Sequence, residues 1–147
     1  MIHPAPTTKI DPTLTRGVLE EVVAETPTKP GHVVISVPNT SYRLHLRPVG
    51  AVRGEVGKRI VGVVSATARR VDVVDTGGRY VEPVYGRPRR VQGKVVASDE
   101  QSRTIVVDAG GVNIHCRLGD QRQRAGEFAA GELVSFDVLD GAGFEAR

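Results

Sequence analysis

The densest concentration of functional side chains lies between Gly77 and Lys94, in the stretch GGRYVEPVYGRPRRVQGK. Arg79, Arg87, Arg89 and Arg90 each offer a planar fork of N–H donors that matches the oxygens of a phosphate. Tyr80 and Tyr85 each add a ring on which a base can stack and a hydroxyl that can stay in water. Arg69 and Arg70, just upstream, extend the cationic set. These eight residues are the candidate contacts to DNA or RNA. Pro83 and Pro88 favour an edge strand or a loop, which leaves the backbone here open to a partner. The bland competitor is a solvated arginine surface with Tyr80 and Tyr85 packed as ordinary strand residues.

Charge is unevenly distributed along the 147 residues. The whole chain carries +3, but residues 41 to 94 hold twelve Lys and Arg against four Asp and Glu, a net of +8. Residues 95 to 147 hold five against nine, a net of −4. Such asymmetry points to a region that faces a polyanion. It also fits a protein-interaction or self-assembly module, a homo-oligomer held by complementary charged halves or by β edges.

Other chemistries find less support. His45, His115 and Cys116 are metal-ligand types, but the adjacent His115 and Cys116 point to opposite faces of a strand and cannot easily share one ion. Cys116 reads instead as a small buried hydrophobe. Asp75 and Asp108 occupy equivalent repeat positions before a Gly-Gly pair, where a turn-capping carboxylate explains both without catalysis. There is no Ser/His/Asp arrangement, phosphate loop or dinucleotide fingerprint; Gly50, Gly54 and Gly57 do not follow a strand-to-helix pattern. The expectation is a non-catalytic protein with no cofactor and no metal.

The elements that must position these residues are β-rich. Valine dominates the apolar set, and its stiff χ1 suits strands, while 17 Gly and 9 Pro punctuate the chain. One cysteine forbids an intramolecular disulfide, and no apolar run has the length of a signal core or a membrane span, so a cytoplasmic, non-membrane protein is expected. Residues 1 to 10 read as a loose arm. Asp11-Pro12 resembles a helix start, and Leu14, Val18, Leu19, Val22 and Val23 recur at near-helical spacing, predicting an amphipathic helix before Thr26-Pro27. His32–Val37 and Ser41–Arg47, joined by Pro38-Asn39, predict a hairpin. Phe128, Phe136 and Phe144 are assigned to the core.

An internal repeat organises the remainder. Arg59-Ile60-Val61-Gly62-Val63-Val64 matches Arg90-Val91-Gln92-Gly93-Lys94-Val95, and Val73-Val74-Asp75-Thr76-Gly77-Gly78 matches Val106-Val107-Asp108-Ala109-Gly110-Gly111. Each copy reads as strand, turn, strand, Gly-Gly turn, strand. Between residues 121 and 130 a short helix or ordered loop is expected, followed by a strand from Gly131 to Leu139, a turn at Asp140-Gly141 and a short closing strand at Phe144.

Gly93-Lys94-Val95-Val96 and Phe128-x-x-Gly131-Glu132-x-Val134-x-Phe136-Asp137-Val138 resemble the first and last strands of cold-shock and related OB-fold domains, over roughly residues 88 to 147. The resemblance implies a small β-barrel that binds oligonucleotides. The chain departs from the pattern in having no aromatic residue between Arg103 and Leu118. The reading is therefore an all-β protein: an N-terminal arm and helix over 1–30, then two OB-like β-barrel units in tandem over 31–87 and 88–147.

Overall fold

The structure is a computed structural model, and it describes residues 11–147. The arm expected over residues 1 to 10 lies outside the described residues. The fold is all-β. Ten strands follow in order: β1 (Thr15–Val23), β2 (His32–Ser36), β3 (Arg43–Pro48), β4 (Arg59–Val73), β5 (Tyr80–Glu82), β6 (Tyr85–Gly86), β7 (Arg90–Asp99), β8 (Thr104–Asp108), β9 (Asn113–Leu118) and β10 (Leu133–Ala146). A single 3-10 turn at Ala125–Glu127 occupies the segment where a short helix or ordered loop was expected. No helix among the described residues is long and apolar enough to cross a membrane.

The amphipathic helix expected after Asp11 is instead β1, which pairs antiparallel with both β2 and β4. The cause is visible at Gly17. A Cβ there would lie 2.5 Å from the Ile35 side chain and 2.7 Å from the Ser36 carbonyl, so the backbones of β1 and β2 meet too closely for any side chain. Thr15, Gly17 and Leu19 turn inward at period two, and a bulge between Leu19 and Glu21 then shifts the alternation. The apolar residues at helix-like spacing do not share a face: Leu19 is buried, Val18 and Val23 are half-buried and Val22 is exposed.

Two further strands run on where turns were expected. The first copy of the repeat is not strand–turn–strand but the continuous 15-residue β4. Its counterpart does turn, between β7 and β8, because Asp99 caps Gln101 N–H and the Ser102 hydroxyl and Arg103 adopts φ 54°. The Ser65-Ala66-Thr67-Ala68 segment has no residue of that kind. At the C-terminus, Asp140 and Gly141 take φ 56° and 81°, the conformations of a turn. They form a bulge within the continuous β10 and not a hairpin.

These two long strands are shared by two closed circuits of pairing. One runs β1–β2–β3–β10–β4 and back to β1. The other runs β7–β8–β9–β4–β10 and back to β7. Their inward faces form one contiguous core, from Leu19, Ile35 and Leu44 to Ile105, Ile114 and Phe136. Phe128, Phe136 and Phe144 are all in it, as their type predicted. At about 25 cal/mol per Å² of apolar surface, each such side chain contributes roughly 1.5–3 kcal/mol when buried. Tyr42 fastens the two circuits: its hydroxyl donates to the Ala109 carbonyl at 3.2 Å and accepts Val81 N–H at 3.1 Å.

Candidate nucleic-acid interface

The Gly77–Lys94 stretch does not run straight from one unit into the next. It folds back on itself, so that β5 pairs antiparallel with β7, with Tyr80 opposite Gln92. Between them, residues 83 to 89 swing out to β3, where Arg43 lies opposite Tyr85 and Leu44 opposite Gly86. The excursion is anchored by Arg43 N–H on the Val84 carbonyl (2.9 Å) and Arg89 N–H on the Glu82 carbonyl (2.8 Å). This detour divides the eight predicted contacts into separate places.

Arg79, Tyr80 and Arg90 stay on the β5–β7 ribbon and are engaged by the protein itself. Arg79 pairs with Asp108 at 2.8 Å, and Arg90 with Asp137 at 2.9 Å. Arg90 also donates to the buried Ser135 hydroxyl at 2.8 Å. Hydrogen bonding to Tyr80 and then to Asp137 raises the Arg90 pKa above its ordinary value. The Tyr80 hydroxyl donates to Gln92 at 3.4 Å. Arg69 and Arg70 sit near the far end of β4, where Arg70 pairs with Asp72 at 3.2 Å.

Tyr85, Arg87 and Arg89 go with the excursion, and there they meet residues that the sequence reading passed over. Lys29, His32, His45, Arg47, Arg87 and Arg89 line a cleft of about 380 Å³, floored by Pro30, Gly31 and Ala142. No carboxylate lines it. Lys29, Arg47, Arg87 and Arg89 form no ion pair among the described residues. The histidines reach it because alternation on β2 and β3 sends Val33, Leu44 and Leu46 into the core and turns His32 and His45 outward.

The rings in this region form a series. His32 and His45 stack with centroids 4.6 Å apart and planes 13° from parallel. Tyr85 meets His45 edge-on at 5.4 Å, and the Arg43 guanidinium lies 5.8 Å from the Tyr85 ring centre. Tyr85 is 63% exposed, so much of its surface is open. His45 Nε2 is buried and has no hydrogen-bond partner among the described residues. Burial pushes the His45 imidazole below the usual histidine range; the His32 neighbour adds to this, Glu21 opposes it and Arg43 adds again. The signal that could have found this cleft was the pattern His32, His45, Arg47 on two strands of one predicted hairpin.

The remaining candidates resolve simply. Cys116 is fully buried, and burial pushes its thiol up to about 12, while His115 points outward and bonds the Thr13 carbonyl through Nε2 at 2.8 Å. Asp108 caps its turn by accepting Gly110 N–H at 2.9 Å. No group of three or more His, Cys, Asp or Glu residues suited to a metal occurs among the described residues. Compared with protein-family models, curated proteins and solved structures, the chain matches none.

Proposed function

We propose that the protein is a non-catalytic module that binds single-stranded nucleic acid in the cleft between β2, β3 and the β6 excursion. The observation that carries this reading is a stacked series of rings beside four unpaired cations, in a cleft that no carboxylate lines. Phosphates meet Lys29, Arg47, Arg87 and Arg89, and bases stack on Tyr85 and the His32–His45 pair. Rings displayed in this way favour unstacked bases over a closed duplex. Each pairing circuit has five strands, which supports a reading as two OB-like units that share β4 and β10, with β1 closing the first; such folds commonly bind oligonucleotides.

The test is a fluorescence-anisotropy titration of the protein with labelled single-stranded DNA and RNA oligonucleotides over a range of salt. Binding should weaken steeply with salt, and an Arg87→Ala/Arg89→Ala variant should lose most of it. An Arg79→Ala/Arg90→Ala variant should bind as the wild type does. Absence of binding at low salt overturns the proposal. A salt-sensitive oligomer that ignores oligonucleotide would favour self-assembly through charge or β edges instead.

A further inference from the structure

The opposite side of Arg47 lines a second, larger cleft of about 500 Å³, which the proposed contacts leave unused. We infer that it is a second subsite for the same strand, so that the ligand is an oligonucleotide several residues long, crossing the sheet from the His32–His45 cleft to Arg117. This rests on the reading above.

The two clefts adjoin at Arg47 and at the β10 bulge. Arg47 lines both. The β10 bulge contributes to both, since Ala142 lines the first cleft and Gly141 and Gly143 the second. Arg87 lies across this bulge: a Cβ on Gly141 would come 3.0 Å from its Cδ. The bulge itself adds no side chain at Gly141 and Gly143, and the Arg87 and Val49 side chains lie over these two positions, so that Arg87 can reach a strand in either cleft.

Beyond the bulge, the floor consists of groups suited to a phosphodiester backbone. Strand register sets Arg47, Gly143, Ser65 and His115 in one row across β3, β10, β4 and β9. The adjoining row holds Leu139, Thr67, Arg117 and Thr104. Ser65, Thr67 and Thr104 offer hydroxyls, and Arg117 forms no ion pair among the described residues. At about 4.8 Å per strand, the row spans roughly 14 Å. That is about four times the axial rise of about 3.4 Å per nucleotide in a stacked strand. The second cleft, too, is lined by no carboxylate. Asp11 lies close enough to His115 to be affected by it, but its carboxylate is held by the Thr13 hydroxyl and N–H. The free charge at this end is thus Arg117.

The experiment compares labelled oligothymidylates of four and twelve residues on the wild type, Arg117→Ala, Thr67→Glu and Thr67→Lys. The longer probe should bind the wild type more tightly. Arg117→Ala should weaken it about tenfold, as expected for one lost charged hydrogen bond, and lower the salt slope by about one. Thr67→Glu should weaken the longer probe further and Thr67→Lys should not, which separates charge in the groove from damage to the fold. The four-residue probe should be nearly indifferent to all three. If the twelve-residue probe binds no more tightly than the short one and ignores these substitutions while still requiring Arg87 and Arg89, the second subsite is overturned and the first stands. If neither probe binds, both readings fall.

Discussion

The β5–β7 ribbon and the cleft beside it hold the same kinds of side chain in opposite states. On the ribbon, Arg79 and Arg90 are bonded to Asp108 and Asp137, and Tyr80 bonds Gln92. In the cleft, Arg47, Arg87 and Arg89 lie beside Tyr85 and two histidines with no carboxylate among the lining residues. An arginine already matched to a carboxylate gains little from a phosphate, because it must first give up its partner. Composition therefore marks a basic region, while the pairing of each guanidinium decides which part of it can bind.

Charge reversal should break this contrast most sharply. If the proposed site is right, Arg87→Glu with Arg89→Glu should lower oligonucleotide affinity by at least about a hundredfold at moderate salt, by placing two carboxylates where the phosphates are proposed to sit. Circular dichroism should remain unchanged. Next, Tyr85→Ala should cost about 1–3 kcal/mol of binding, the usual worth of one base-stacking ring, and Tyr80→Ala should cost nothing measurable in the same titration.

The reverse test reads stability. Arg90→Ala should leave binding intact but lower unfolding free energy by about 1 kcal/mol in urea denaturation, through the lost bond to buried Ser135. The exposed Asp137 pair should add little to this. Arg87→Ala should leave stability within about 0.5 kcal/mol of wild type, as an exposed side chain without an ion pair.

The smallest effect concerns pH. Since His45 takes a proton less readily than its ordinary value of 6.5, the folded state binds fewer protons than the unfolded chain just below that pH. Its contribution to stability is therefore complete above about pH 6.5 and declines as pH falls through the window beneath. A phosphate in the cleft reverses the balance by favouring the imidazolium, against the repulsion of His32 and Arg43 and with the help of Glu21. Affinity should rise about threefold on going from about pH 8 to about pH 6, and His45→Gln should flatten that profile.

The all-β character was legible in the valine-rich runs and in the hairpin of β2 and β3, and the core role of the phenylalanines followed from their type. The first strand was hidden because its apolar residues fall at helical spacing although only Leu19 among Val18, Leu19, Val22 and Val23 is buried, while the inward positions 15 and 17 carry Thr and Gly. Only the approach of Ile35 and Ser36 explains why Gly17 belongs there. The site was half legible for a related reason. Asp108 and Asp137 neutralise arginines 29 and 47 residues away, and Lys29 joins a cleft with Arg89 from across the chain. Such partnerships are set by strand order and leave no local pattern.

The bulge in β10 carries a last consequence, for the order of events during synthesis. In the closed circuit, β3 is joined to β4 on one side by the parallel pairing of Gly143 and Phe144 of β10 with Arg47 and Pro48. Both clefts include residues of this same segment. A nascent chain that has already displayed every cationic residue of the cleft still lacks Ala142 and the strand that pairs with Arg47. Contacts this distant in sequence form late. The proposed binding surface is thus completed only when the segment around Gly143 has left the ribosome, and partly made chains hold their arginines without the full cleft around them.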